Sequence, residues 1–296
     1  VLLADDGNTA ALDALEPLLA AEGRHEALVA VLGRKADQTL DAVDKKELLY
    51  RIAELHEEVL DQPEPAIETY RQVFDEDPED QTAIDALVRL YEREGQWSQL
   101  VLVLREKLEL AEDDAARKSV LQRIAAVQES KLEDLEETIL TWRTVLESDG
   151  RDRDALEALD RLFSREGRWG ELVDLLEGER DLYLEDDRAR ADGIELRIAD
   201  ILEHRQGQVP QAIELYAELL GREHEAEAAR AALERLCGDE AHRLSAARVL
   251  EPHYQEAERA EDLARVLELQ LQDLEEPLER LGLLKRLGTL RQTVLD

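Results

Sequence analysis

Ala86-Leu87, Leu90-Tyr91, Gly95-Gln96-Trp97 and Leu100-Val101 make up the stretch that decides the fold. Apolar residues three and four apart run up to a glycine, and the same spacing resumes beyond it. That pattern describes two helices joined by a tight glycine turn. It recurs at 72-residue intervals, as Gly23-Arg24-His25 and as Gly167-Arg168-Trp169. Ala14-Leu15 and Ala158-Leu159 precede those glycines, and Leu28-Val29 and Leu172-Val173 follow them. Self-similarity at a fixed period is the signature of a repeat array.

A second hairpin completes each unit. Arg51-Ile52-Ala53 is matched by Arg123-Ile124-Ala125 and, after a two-residue insertion, by Arg197-Ile198-Ala199, while Ala66-Ile67 is matched by Thr138-Ile139 and Ala212-Ile213. The first complete unit reads as helices over about 10–22, 25–38, 44–60 and 63–75, with Gly23 ending the first and Pro63 or Pro65 opening the last. Units are expected at about 11–82, 83–154, 155–228 and 229–296. The last is irregular. Ala229 to Cys237 fits a first helix, yet Leu250-Glu251-Pro252-His253-Tyr254 repeats Leu15-Glu16-Pro17-Leu18-Leu19 some 17 residues late. An extra helix is therefore expected near 229–257, with a change of curvature there. Val1 to Gly7 aligns with Val73 to Glu79, and Leu284 to Asp296 with Leu49 to Asp61. Both ends read as cuts inside repeats of a longer protein, with flanking sequence to be expected.

These motifs resemble the tetratricopeptide repeat family. Tyr50-Arg51-Ile52-Ala53, Pro65-Ala66-Ile67 with Tyr70, and Phe74 with Pro78 follow its small-residue, aromatic and terminal-proline pattern, and Leu100 stands where an alanine is usual. The resemblance implies an all-α fold, a right-handed α-solenoid of antiparallel helix hairpins with no sheet. It also implies a non-catalytic scaffold that binds proteins. The family's concave lining maps here to Asp85, Arg89, Glu92 and Arg93, then to Glu157, Arg161, Ser164 and Arg165, with Arg235 continuing the row. Some members clamp a peptide C-terminal carboxylate with cations, but Asp85 and Glu157 place acids at those positions. Asp85 with Arg89, and Glu157 with Arg161, also form i to i+4 pairs of the favourable orientation.

Composition narrows the function. With 37 basic against 72 acidic residues the chain carries a formal charge of -35, a field that repels phosphate backbones and anionic headgroups. Nucleic acid and membrane surfaces are poor partners for such a chain, whereas basic protein segments are drawn to it. No apolar run approaches the roughly 20 residues of a membrane helix. The single cysteine, Cys237, excludes an internal disulfide and reads as a small buried apolar residue.

Catalytic and metal-binding patterns do not assemble. The six histidines show no metal-ligand spacing; the nearest string, His56-Glu57-Glu58, has Leu60 where a second histidine would stand. Asp75, Asp77, Glu79 and Asp80 lack the glycine and the glutamate of a calcium loop. No glycine-rich phosphate cradle or nucleophile elbow is present, so no cofactor and no enzymatic role are expected. Arg51, Arg123, Arg197 and Arg286 share one repeat position and read as charge pairs between adjacent helices; Tyr70, Trp142 and Tyr216 share another and read as core. The expectation is an interaction scaffold for protein or peptide partners. The alternative is a structural subunit that self-associates into a large assembly or filament.

Overall fold

The computed structural model describes residues 8–292; the expected matches of Val1–Gly7 and Val294–Asp296 to interior repeat positions lie outside them. Among the described residues there are sixteen α-helices and no strand. Two compact bodies divide the chain, one ending at Ser148 and the other starting at Asp149. The first holds α1 (Thr9–Ala21), α2 (His25–Gln38), α3 (Ala42–Glu54), α4 (Pro63–Glu76), α5 (Gln81–Arg93), α6 (Trp97–Glu109), α7 (Asp114–Val127) and α8 (Leu135–Ser148). The second holds α9 (Arg153–Glu166), α10 (Trp169–Tyr183), α11 (Arg188–His204), α12 (Val209–Leu220), α13 (Ala226–Leu236), α14 (Arg243–Glu256), α15 (Ala260–Asp273) and α16 (Pro277–Leu290). Within each body helices pack on their sequence neighbours as stacked hairpins, the all-α solenoid architecture. In the second, α13 is a single helix wedged between α12 and α14.

Helix starts and turns repeat with the sequence. Asn8, Asp80 and Asp152, 72 residues apart, cap α1, α5 and α9 by accepting the N–H of Ala11, Ala83 and Ala155 at 3.0, 2.9 and 2.9 Å. Such caps contribute about 1 kcal/mol each. α2, α6 and α10 have no side-chain cap, because the preceding turn sets their start. Gly23, Gly95 and Gly167 sit at φ of +67°, +69° and +68°. The N–H after each crosses back to a carbonyl in the previous helix: Arg24 to Leu19 (3.0 Å), Gln96 to Tyr91 (2.8 Å) and Arg168 to Phe163 (2.9 Å). The turn between α14 and α15 closes identically, Arg259 N–H to Tyr254 (3.0 Å), yet its left-handed residue is Glu258 at φ +53°.

One element differs from the expectation. The helix read as 44–60 is α-helical to Glu54 and then widens into a π turn over Leu55–Val59, closed by the Leu60 N–H on the Leu55 carbonyl at 3.0 Å. A second π turn covers Gln128–Leu132. The inserted residue rotates a polar side chain inward: Gln128 is 2% exposed and accepts the Thr141 hydroxyl at 2.7 Å.

The core follows the hairpins. α5 buries Ala83, Ile84, Leu87, Val88, Leu90 and Tyr91, so it is covered on two sides. Leu100 is fully enclosed despite standing at an alanine position of the family pattern. In the second body Cys237 is buried, and burial pushes its thiol up to about 11.

Three measurements follow from this packing. Leu87→Ala should cost about 2–5 kcal/mol in urea unfolding, the range for a fully enclosed leucine. Glu258→Gly should stabilise by about 0.5–1 kcal/mol, while Gly167→Ala destabilises by about 1 kcal/mol, because only the glycines hold a left-handed backbone without strain. Cys237 should stay unmodified by a thiol-specific disulfide reagent at pH 8 and react fully in denaturant; prompt reaction of the folded chain would contradict its burial.

Candidate functional site

The expected lining residues lie on exposed faces of α5, α9 and α13. In the first body Asp85 takes Lys107 of α6 (2.6 Å), Arg89 reaches Glu57 (2.8 Å), Glu92 takes Arg123 of α7 (2.5 Å) and Arg93 takes Glu94 (2.9 Å). Asp85 and Arg89 thus bridge to different helices and do not simply brace their own. In the second body Glu157 takes Arg153, one turn before it (2.6 Å). The Ser164 hydroxyl donates to Asp160 (3.2 Å), Arg165 takes Glu166 (2.9 Å), and Arg161 is exposed with interactions of its own. Arg235, on α13, grips Glu203 through two hydrogen bonds of 2.5 and 2.9 Å. The four α9 residues share one face, and Arg235 stands on a different helix.

Two ladders of ion pairs order these faces. Arg51, Arg197 and Arg286 meet Glu16 (2.6 Å), Asp160 (2.5 Å) and Glu251, one repeat position throughout, so the arginine row is committed to neighbouring helices. In the remaining repeat that position is Val88, and Arg123 shifts one turn to Glu92. Each guanidinium is nearly half exposed, so each pair contributes about 0.2–1 kcal/mol. The second ladder pairs an exposed arginine with a buried carboxylate: Arg89 with Glu57, Arg235 with Glu203. Burial raises the Glu203 carboxyl, but the Arg235 hydrogen bonds, the Tyr216 hydroxyl (3.0 Å) and the Arg235 charge outweigh it, and the net shift is downward.

The aromatic position is core where tyrosine fills it. Tyr70 and Tyr216 are 4% and 1% exposed, and burial pushes the Tyr70 phenol up to about 12, with the Glu57 charge adding to it. Trp142 is partly buried, its indole N–H enclosed with no hydrogen-bond partner among the described residues.

A clamp at the far end of the hairpins appears in two polarities. On α3, Lys45 meets Glu76 (2.5 Å) and Lys46 meets Asp77 and Asp80 (both 2.8 Å). Asp192 and Arg222 occupy the places of Lys46 and Glu76, 146 residues on, with the charges exchanged. Arg222 bridges Asp192 (3.0 Å) and Glu195 (2.5 Å), both almost fully buried on α11. Sequence reading missed this clamp; the sign change at matched positions was its signal.

With that geometry in place, comparison with known proteins is specific about the repeat type. Residues 47–80, most of α3 and all of α4, and residues 83–118, most of α5 and all of α6, match the tetratricopeptide repeat family. No curated protein matches the chain. Among solved structures it is similar to the MamA protein at 14% identity, covering 61% of this chain and 92% of that one with a TM-score of 0.32. It is also similar to a tetratricopeptide repeat protein from Parabacteroides merdae at 14% identity, covering 82% and 98%, with a TM-score of 0.32. Scores at that level carry nothing further about geometry or function.

The Glu203 environment is testable by pH. Its lowered value means that the stabilisation is complete above the ordinary carboxylate value of 4.5 and is lost as pH falls through the folded-state value. Glu203→Gln should therefore cost about 1–3 kcal/mol at pH 7 and progressively less below pH 4.5. A gap that does not change with pH would contradict the charged pair.

Proposed function

We propose that this chain, a tetratricopeptide-type helical repeat protein, is an interaction scaffold that recruits other proteins on the exposed first-helix faces of its hairpins. Repeats of this type are generally non-catalytic. The observation that carries the reading is the state of the α5 and α9 faces: charged side chains in pairs that are largely exposed and therefore cheap to exchange for a partner's. The excess of 72 acidic over 37 basic residues favours a partner segment rich in lysine and arginine. Self-association is the second reading, favoured by α16, where Leu278, Leu281 and Leu284 are 77%, 50% and 52% exposed.

Capture from native extract, followed by mass spectrometry, tests the proposal when the wild-type chain is run beside a variant carrying Asp85→Lys, Arg93→Glu, Glu157→Lys and Arg165→Glu. All four positions are exposed, so circular dichroism should show unchanged helicity. A stoichiometric partner held by the wild type, weakened tenfold or more in the variant and released by salt, is the expected result. A partner held equally by both overturns the assignment of these faces. Sedimentation velocity showing only self-association overturns the scaffold in favour of the second reading.

A further inference from the structure

In the second body a concavity of about 410 Å³ opens between α9, α10 and α11, lined by Arg151, Arg153, Arg190 and Arg197, by the carboxylates of Glu157, Asp160 and Glu179, and by Tyr183 and Leu156. Four guanidiniums against three carboxylates give this groove a local excess of base in a chain with half as many bases as acids. The ring of Tyr183, 8% exposed, is held between two of them, with the Arg190 and Arg151 guanidinium carbons 4.1 and 4.7 Å from its centroid.

The chain supplies its own control, because the preceding repeat builds the same three helices. Arg197 is matched there by Arg123, so the ladder accounts for it. Arg151, Arg153 and Arg190 are matched by Glu79, Gln81 and Ala116, and the stretch 108–112 that corresponds to Tyr183 has no aromatic residue. α10 is also two residues longer than α6, 15 against 13, and Tyr183 lies in that extension. Hairpin packing therefore requires none of these three arginines, nor the ring between them.

The pairs around the groove fall into two kinds. Arg190 and Arg197 are tied to the shielded carboxylates of Glu179 (2.7 Å; 13% exposed) and Asp160 (2.5 Å; 26% exposed). Arg151 and Arg153 instead hold Asp186 (2.7 Å) and Glu157 (2.6 Å), which are 53% and 63% exposed. An arriving carboxylate can replace either of these outer partners, which return to water at little cost, and it gains the planar two-point contact that guanidinium offers. We propose that this groove is a binding site for an acidic peptide segment, its neighbouring carboxylates held by Arg151 and Arg153 at the rim of the Tyr183 stack. It adjoins the α9 first-helix face at Glu157, which belongs to both, and differs from that face in the charge it selects.

The probe is a fluorescent peptide with a block of consecutive glutamates, compared with its glutamine and lysine counterparts. Anisotropy with the full chain at 0.15 M salt screens the overall negative field beyond about 8 Å. The glutamate peptide should bind and the glutamine peptide should not. Arg153→Glu alone, at a side chain 83% exposed, should weaken binding at least tenfold without changing helicity, and adding Arg151→Glu should abolish it. Arg105→Glu, in the other body, should leave it unchanged. Equal binding of the glutamine peptide, or indifference to Arg153→Glu, overturns the site. Arg151→Glu, which lies before α9 and off its lining face, should weaken the glutamate peptide and leave the lysine peptide unaffected, so that reading and this one fail separately.

Discussion

Four hairpins depend on one backbone reversal, a single residue at left-handed φ (Gly23, Gly95, Gly167 or Glu258) whose successor's N–H returns to the carbonyl five residues earlier; after Asp61, Glu133 and Gly207 the return spans six. The reversal spends almost no chain, so the two helices leave it side by side and antiparallel. Their apolar stripes have only each other and the next hairpin to face. Core burial then follows from geometry that the backbone has already set, and α5, covered on both sides, shows how completely. The exposed ion pairs come afterwards in energy. At tenths of a kilocalorie each they add little to holding the stack together.

Much of this was legible before any coordinates, for a physical reason. Glycine is the residue that adopts the left-handed turn without strain, so the composition of the turn announces its conformation. No glycine marks the turn at Glu258, and the Leu250-Glu251-Pro252 register was legible only as an extra helix near 229–257. The π turns at 55–59 and 128–132 left no such trace. A shift from an i−4 to an i−5 hydrogen bond changes neither hydrophobic spacing nor composition enough to separate it from continuous α-helix.

The candidate site was legible by face and illegible by partner. Helical periodicity shows that Asp85, Arg89, Glu92 and Arg93 share a side of α5, but not that Lys107, Glu57 and Arg123 come from elsewhere to meet three of them. Those meetings are set by the tilt between helices, which one helix's sequence does not contain. The Tyr183 groove escaped for a related reason. It needs three helices and a two-residue lengthening of α10, and it stands out only where one repeat is laid over its predecessor.

The clamp of exchanged polarity bears on how an array of near-identical parts assembles in the right order. An α3-type helix carrying Lys46 accepts a successor that ends in acid, while α11, with Asp192 and Glu195 buried, accepts one that ends in arginine. If α12 folded onto α3, Arg222 would be brought toward the two lysines there; if α4 folded onto α11, Glu76 would be brought toward two enclosed carboxylates. Both mismatches place like charges together, the second where water cannot relieve them. The sign of the clamp thus distinguishes the α11 hairpin from the α3 hairpin, while α7, with Lys118 at the matching position, keeps the sign of α3.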